Sequence, residues 1–224
     1  MAAIGTLAGG IAHEINNPLG VILGFAQGLE RRVRDGDPLR MPVTSIVRES
    51  LRCKALVQEL LTFSRTSKVT DELIDVADVV RSTVVLLAAR AKIQGVQLTT
   101  LVEPLVPFVK GSRTQLQQVL VNLGTNALDA MKEGGTLTVR VGTKDGEVVL
   151  EVVDTGHGIP EGIRGRVFEP FFTTKGVGEG TGLGLSLVYQ IVEHHHGHVD
   201  VASSGPNGTV MRVRLPALAP EARA

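Results

Sequence analysis

The hydrophobic pattern of this chain changes once, near Val69, and that change constrains the fold more than any other feature. Across residues 4–65 the apolar side chains recur with the spacing of amphipathic helices. From Val69 onward, short runs rich in β-branched residues alternate with helical stretches. The sequence therefore predicts an α+β chain, with a helical N-terminal region followed by an α/β sandwich.

The N-terminal region is predicted to be a helical hairpin, because RDGDPLRMP at 34–42 places a glycine and two prolines between two long helices. The first helix carries an apolar stripe within a sector of roughly 120°. The stripe consists of Ile4, Leu7, Ile11, Ile15, Leu19, Ile22, Ala26, Leu29 and Val33. A narrower stripe on the second helix consists of Ile46, Ser50, Cys53, Val57, Leu60 and Ser64. Two helices alone bury too little apolar surface, so we expect a homodimer in which two hairpins form a four-helix bundle.

The C-terminal region is predicted to be a sheet with helices packed on one face. Strands are expected at 73–76, 96–101, 107–110, 136–143, 147–154, 198–203 and 209–215. Helices are expected at 77–93, 113–131 and 183–195. These patterns place one domain at residues 1–68 and a second at 69–218, and leave 219–224 as a tail.

The charge balance and the cysteine count limit the classes to which the chain can belong. Lysine plus arginine equals aspartate plus glutamate at 23 each, so the overall balance predicts neither a nucleic-acid partner nor an anionic membrane surface. The single cysteine, Cys53, excludes an intrachain disulfide and, with no signal peptide, favours the cytoplasm. No apolar run approaches the ~18 residues that a membrane span needs, so we expect no direct membrane contact. Because the numbering opens almost inside a helix, we expect a fragment of something longer.

The segment HEINNP at 13–18 places polar residues and a proline inside the first predicted helix, which costs helix stability. On a helical projection His13 lies opposite the apolar stripe and shares a face with Asn17. Glu14 can accept a hydrogen bond from one imidazole nitrogen, which leaves the other with a free lone pair, as a nucleophile needs. The alternative is a surface helix that simply carries polar residues, and an isolated His-Glu pair favours that alternative.

Two motifs in the C-terminal region carry polar side chains that suit contact with a flat ligand. In QLQQVLVNLGTNALDAM, Asn122 and Asn126 are separated by one helical turn and project from one face. In DTGHGIP at 154–160, Asp154 ends a predicted strand and can accept a hydrogen bond from an exocyclic amine. Gly156 and Gly158 allow close backbone approach to such a ligand. Taken singly, each motif also has a purely structural explanation. The two asparagines fit a pair of buried capping amides, and DTGHGIP fits an ordinary turn.

A glycine-rich segment, GVGEGTGLGLS at 176–186, precedes the last predicted helix. It places Gly178, Gly180, Gly182 and Gly184 where backbone N–H groups can point at phosphate oxygens. The preceding FEPFFTTK supplies three phenylalanines and the cation Lys175, which is typical of a lid on an aromatic anchor. A flexible loop after a packed connector is the alternative. A Walker P-loop is excluded, because the chain has no Gly-Lys dipeptide.

The order of these motifs resembles the catalytic core of sensor histidine kinases. The asparagine helix, DTGHG, FEPFF and GEGTGLG correspond to the N, G1, F and G2 boxes of a Bergerat-type ATP-binding domain, shared with Hsp90, MutL and type II topoisomerases. GGIAHEINNPL resembles the phosphoacceptor box of that family, and LLTFSR is similar to the end of its second hairpin helix. The resemblance covers residues 3–216.

The resemblance implies a role for each of these residues. His13 would be the phosphoacceptor, Glu14 its base or orienting partner, and Asn17 the amide that positions water during dephosphorylation. Asp154, Gly156, Gly158 and Thr209 would bind adenine, Thr209 through water. Asn126 would coordinate Mg²⁺, with Asn122 beside it, while Lys175, Gly180, Gly182 and Gly184 would contact phosphates. The implied cofactors are ATP and Mg²⁺, and the implied partner is the receiver domain of a response regulator, which the kinase phosphorylates and from which it can also remove phosphate.

Some details separate this chain from its ATP-hydrolysing relatives and from the most frequent kinase pattern. At Asn122 those relatives carry a glutamate that activates water, which an amide does not do at neutral pH, so ATP is kept for His13. An ATP-hydrolysing clamp and a non-enzymatic scaffold with a decayed site remain the competing hypotheses.

After Asn126 the sequence ALDAMKEGG lacks the more frequent Lys-Phe/Tyr ending, and Lys132 is a candidate for phosphate contact. HHHGH at 194–198 resembles a metal site, but adjacent helical histidines point apart. The resemblance also allows a membrane anchor outside this chain.

Overall fold

The computed structural model describes residues 2–64, 72–176 and 180–218, and the side chains of all of these except 2–13, 55 and 58–64. The chain forms two compact units, Met1–Ser67 and Lys68–Ala224. Within the described ranges, none of the helices combines the length and the apolar content needed to cross a membrane.

The first unit is the predicted helical hairpin. Helix α1 spans Ala2–Glu30 and continues through Pro18, and helix α2 spans Arg40–Ser64. The turn between them is fixed by local hydrogen bonds: Leu39 N–H donates to Asp37 Oδ1 at 2.8 Å, and Arg40 Nη1 donates to the Val33 carbonyl at 3.0 Å. The prediction of a hairpin broken at 34–42 is therefore confirmed.

Among the described side chains, the contact between α1 and α2 uses only part of the predicted stripes. The predicted Ile4, Leu7, Ile11, Leu60 and Ser64 lie outside the described side chains. Leu23, Ala26 and Val47 form a buried cluster between the two helices. On α2 the predicted Ser50 and Val57 are buried, but Ile46 and Cys53 are exposed, while Val43 and Val47, which were not predicted, are buried. Several large apolar side chains of α1 remain exposed in the single chain: Ile15, Ile22, Phe25 and Leu29.

The second unit contains a five-stranded mixed sheet and a two-stranded sheet. Its elements are β1 (Glu72–Ile74), α3 (Val76–Ile93), β2 (Val96–Val102), β3 (Val109–Gly111), α4 (Arg113–Ala130), β4 (Gly135–Lys144), β5 (Glu147–Asp154), a 3₁₀ helix (Glu161–Arg166), α5 (Gly184–His194), β6 (His198–Gly205) and β7 (Gly208–Pro216). The large sheet has the order β2-β4-β5-β7-β6, with β2 and β4 parallel and the other neighbours antiparallel. Strands β1 and β3 pair antiparallel in the small sheet. Every predicted strand and helix of this unit is present, with bounds that match the prediction or differ from it by at most two residues.

The core of the second unit lies between one face of the large sheet and the three helices. Along β5 the buried residues alternate with partly exposed ones, as expected for a strand that buries one face: Val148, Leu150, Val152 and Asp154 point into the core. Helix α4 lies between α3 and α5 and packs on β5. Its predicted inward residues are all buried: Leu116, Val119, Leu120, Leu123 and Ala127. This packing leaves the Asn122 and Asn126 side chains partly exposed on the other face of α4.

Candidate functional site

The Asp154 carboxylate lies at the end of β5 and is 6% exposed. Its Oδ1 atom accepts two backbone hydrogen bonds, from Gly156 N–H at 2.8 Å and from Thr209 N–H at 3.2 Å. The second of these follows from strand register, because Asp154 on β5 is paired with Thr209 on β7. Among the described residues no donor is bonded to Oδ2. One oxygen of a fixed carboxylate therefore remains available to an external donor.

The loop after Asp154 is held against the β6–β7 turn by close backbone contacts. Ser204 Oγ accepts a hydrogen bond from Ile159 N–H at 2.6 Å and shares a second one with Thr209 Oγ1 at 3.0 Å. Gly158 has a φ of +74°, and a Cβ built there would lie 1.9 Å from the Gly205 carbonyl oxygen. Only glycine fits this position, because the left-handed backbone and the missing side chain are both required. Asp154 and Thr209 are thus bonded to each other, and Ser204 holds the loop that contains Gly158 beside them.

Burial raises the pKa of Asp154 above its ordinary value of 3.8. The hydrogen bonds from Gly156 and Thr209 and the charge of His157 oppose this effect, and burial is the largest of the causes. The carboxylate is therefore costly to ionise in the folded protein, and its environment favours a ligand that donates a hydrogen bond to it.

The Asn122 side chain joins α4 to the start of α5. Its Nδ2 atom donates to the Gly184 carbonyl at 3.2 Å, and its Oδ1 atom accepts from Gln118 Nε2 at 3.2 Å. Gly184 lies so close to both amides that a Cβ there would be 3.9 Å from Asn126 Nδ2 and 4.0 Å from Asn122 Cγ. Both polar atoms of the Asn122 amide are thus engaged within the protein, and the residue positions the first turn of α5.

Asn126, one turn further along α4, faces a cation. Lys175 Nζ lies 3.4 Å from Asn126 Oδ1 and 2.5 Å from Asp129 Oδ2. The amide oxygen of Asn126 is therefore oriented toward positive charge, which is the chemistry that a divalent cation would use at the same atom. Lys175 thus lies beside Asn126, and Asp129, which was not among the predicted site residues, holds it there.

The start of α5 presents backbone N–H groups beside these side chains. In the described part of the chain no side chain caps this helix end, so its first amides remain available to an anion. Gly182 has a φ of +68°, and its carbonyl accepts a hydrogen bond from Phe171 N–H at 2.9 Å. A Cβ at Gly182 would lie 2.4 Å from the Phe171 carbonyl carbon, so this crossing requires glycine. Gly180 lies against Lys175, and Gly178 is outside the described residues.

The predicted residues of the hairpin lie in the other unit of the chain. Glu14 and Asn17 are exposed on α1, as is Pro18. The side chain of His13 is outside the described side chains, so its predicted outward orientation stays a prediction. Pro18 lacks the N–H that would bond to the Glu14 carbonyl, which leaves that carbonyl without its helical partner.

Two family models match the chain. Residues 3–68 match the His Kinase A (phospho-acceptor) domain, and residues 111–219 match the histidine kinase-, DNA gyrase B-, and HSP90-like ATPase. The sensor kinase CckA of Brucella abortus is 40% identical over 242 residues, covering 100% of this chain and 25% of CckA. This chain belongs to the sensor histidine kinase family. The resemblance predicted from the motif order is confirmed.

Solved structures of histidine kinases have the same fold. Full-length ShkA in complex with AMPPNP matches 96% of this chain and 46% of the ShkA chain, with 27% identity and a TM-score of 0.82. Histidine kinase ThkA in complex with response regulator protein TrrA matches 98% of this chain and 63% of that chain, with 28% identity and a TM-score of 0.69. This chain therefore spans a quarter of CckA and less than half of ShkA. Within the second unit, residues 111–219 correspond to the ATP-binding domain of the family.

Sequence reasoning missed three side chains that shape this kinase domain: Ser204, Arg164 and Asp129. Arg164, on the 3₁₀ helix, donates to the carbonyls of Ile159 and Ser204 and so ties the loop after β5 to the β6–β7 turn. These partners are 5 and 40 residues away along the chain. The sequence carries no local signal for the contact with Ser204, which is long-range.

Proposed function

We propose that this chain is the catalytic core of an ATP-dependent protein histidine kinase that autophosphorylates on His13 and passes the phosphoryl group to an aspartate of a response regulator. Residues 1–68 would be the dimerisation and phosphotransfer hairpin, 69–218 the catalytic domain, and 219–224 a tail. The observation that carries the proposal is the buried Asp154 carboxylate, which is bonded to the Thr209 backbone beside the loop of Gly158 and keeps one oxygen unbonded among the described donors.

Asp154, Gly156, Gly158 and Thr209 would bind adenine. The exocyclic amine of adenine is a donor that suits Asp154 Oδ2. Gly156 has no room for a side chain, because a Cβ there would lie 2.6 Å from the Ala130 carbonyl oxygen. Gly208 would likewise place a Cβ 1.9 Å from the Asp154 carbonyl oxygen. Glycine at these positions lets the backbone around Asp154 pack against the end of α4 and the start of β7.

Lys175, the uncapped start of α5 and the glycines Gly180, Gly182 and Gly184 would contact the phosphates. Asn126 would hold Mg²⁺ through Oδ1, an assignment supported by the cation that already neighbours that oxygen. When bound, Mg²⁺ would neutralise phosphate charge during phosphoryl transfer. Asn122 would act by clamping α5 through the Gly184 carbonyl rather than by activating water, so that ATP is preserved for His13.

On the hairpin, His13 would accept the phosphoryl group, Glu14 would orient its imidazole or accept its proton, and Asn17 would position water when the kinase removes phosphate from the regulator. The exposure of Glu14 and Asn17 supports these roles, because both side chains are accessible to a partner. The complex of ThkA with a response regulator supports a receiver domain as that partner. We also propose a cytoplasmic location, within a longer sensor.

Labelling with γ-labelled ATP and Mg²⁺ tests the proposal. The full chain should acquire acid-labile label that is lost in His13→Ala and kept in His194→Ala, which removes an exposed histidine from the last turn of α5. The label should then move to a receiver domain but not to a variant in which asparagine replaces its aspartate. Release of free phosphate without protein label would instead support an ATP-hydrolysing clamp, and the absence of both products would support a scaffold.

A further inference from the structure

A carboxylate that neither predicted site includes holds the cation of the proposed phosphate site. Asp129 follows Asn126 by one turn on α4, and its Oδ2 atom accepts a hydrogen bond from Lys175 Nζ at 2.5 Å. Arg90, on α3, pairs with the other oxygen, Oδ1. These three residues form the Asp129 cluster, in which one carboxylate lies between two cations, so that the cluster carries a net positive charge.

The cluster fixes the Lys175 side chain from two sides. Its stem packs against Gly180, where an added Cβ would lie 3.0 Å from Lys175 Cδ. Its ammonium is bound by Asp129, whose side chain is only 22% exposed, compared with 33% for Lys175. An ion pair with this degree of burial is screened less by solvent than a fully exposed pair. The lysine is therefore held beside Asn126 rather than free in solvent.

We propose that Asp129 is a positioning residue for the phosphate-binding cation, holding the Lys175 ammonium beside the Asn126 amide; this inference rests on the proposed function. A free lysine side chain loses rotamer entropy when it becomes fixed. Because Asp129 has already restricted Lys175, binding of a phosphate oxygen requires less further ordering. Arg90 offsets the negative charge of Asp129, so the cluster attracts a polyphosphate instead of repelling it.

The position of Lys175 also explains how Asn126 can serve a second cation. In this structure the ammonium donates to Asn126 Oδ1. A lysine anchored on Asp129 can exchange that amide oxygen for a phosphate oxygen while keeping its carboxylate partner. The exchange leaves Asn126 Oδ1 free to act as a metal ligand.

The direction in which one substitution changes the binding affinity distinguishes the positioning role from a simple effect of charge. Asp129→Asn removes a negative charge near the phosphates, so Coulomb's law alone predicts that a triphosphate binds more tightly. The positioning role predicts the opposite. We expect Asp129→Asn to weaken the binding of a non-hydrolysable ATP analogue by about tenfold, as for loss of one charge-assisted hydrogen bond. Lys175→Met should weaken binding at least as much, and the double variant should be no weaker than Lys175→Met alone.

The measurement is calorimetric titration of the full chain with the analogue in Mg²⁺, together with ligand-observed NMR of adenosine. Adenosine carries no phosphate, so its binding beside Asp154 should be unchanged in every variant, which also shows that the variants are folded. Glu133→Gln is the matched control, because it removes an exposed carboxylate from the turn after α4. It should not weaken analogue binding.

Three results would overturn the positioning role: analogue binding in Asp129→Asn that equals or exceeds the wild-type affinity, an equal loss of adenosine binding, or additive losses in the double variant. A wild-type chain that fails to bind the analogue would overturn the proposed function itself, and this inference with it. The two kinds of failure are therefore distinguishable in one set of titrations.

Discussion

The Nε2 atom of His195 accepts a hydrogen bond from the backbone N–H of Ser112, 3.0 Å away, and so joins the end of α5 to the start of α4. The other ring nitrogen, Nδ1, lies 2.7 Å from the Ile191 carbonyl, to which it donates. The ring is 4% exposed and packs on Gly111, where a Cβ would lie 2.1 Å from His195 Cδ2. With one nitrogen donating and the other accepting, the imidazole is neutral. Protonation would remove the acceptor for Ser112.

We predict that the free energy of unfolding decreases as the pH falls below about 6.5, the ordinary pKa of histidine. Burial lowers the pKa of His195, and the neighbouring charges of His194 and His196 lower it further, against the opposing effect of its bond to Ile191. Below pH 6.5 the unfolded chain therefore takes up a proton at this position that the folded chain does not, and the loss continues until the pH reaches the folded pKa. Chemical denaturation between pH 5 and 8 measures it.

His195→Gln should flatten this pH dependence, because glutamine does not titrate and its amide oxygen can still accept from Ser112 N–H. His198→Gln, which changes an exposed histidine on β6, is the control and should leave the profile as in the wild type. A wild-type profile that is flat between pH 5 and 8 would contradict a buried neutral His195.

A second prediction concerns Asp154, whose pKa is raised by burial. A carboxyl group with a raised folded pKa destabilises the folded state once the pH exceeds its unfolded value, and the full cost applies above the folded pKa. Asp154→Asn should therefore raise the unfolding temperature at pH 7. The same variant should weaken adenosine binding by about tenfold or more, because an amide replaces the carboxylate. Differential scanning calorimetry and ligand-observed NMR check the two effects. Asp145→Asn, in the exposed β4–β5 turn, should change neither; a less stable Asp154→Asn would refute the argument.

The sequence predicted those parts of the fold that depend on local pattern. The inward face of α4 follows from apolar spacing alone, and the turn at Asp145 and Gly146 follows from turn chemistry, since both residues have positive φ. The stripe on α2 was predicted only in part, because the helical period defines an apolar sector but not which residues the neighbouring helix covers. Thus Val47 contacts α1 while Ile46 stays exposed.

The candidate site was predictable where a residue type has few other uses, as for Asp154 before two glycines. Its supporting contacts were not, because they join residues that are distant in sequence. Asp154 meets Thr209 through strand register, 55 residues later, and Lys175 meets Asp129 across 46 residues. These contacts depend on how the strands and helices pack in three dimensions.

A third prediction tests the close backbone crossing at Gly158. A Cβ there would lie 1.9 Å from the Gly205 carbonyl oxygen, and the residue has a positive φ, so Gly158→Ala must displace the loop after β5. We expect a loss of roughly 2 kcal/mol or more in unfolding free energy, together with weakened adenosine binding. Gly162→Ala, which meets no atom within 4 Å, is the matched control and should be close to neutral in urea denaturation. Equal stability of the two variants would contradict the crossing.

The last prediction concerns the apolar face that the single hairpin leaves exposed. Phe25 is 73% exposed, Ile22 50% and Leu29 53%, and all three recur at spacings of three and four residues on one side of α1. A contiguous apolar face of this kind is unfavourable in water, so the proposed homodimer would cover it with a second copy. Ile22→Asp should then convert a dimer to a monomer in light scattering, because a buried unpaired charge is costly in a bundle core. Thr44→Asp, at an exposed polar position of α2, should leave the dimer intact, and a wild-type chain that is monomeric at micromolar concentration would contradict the pairing.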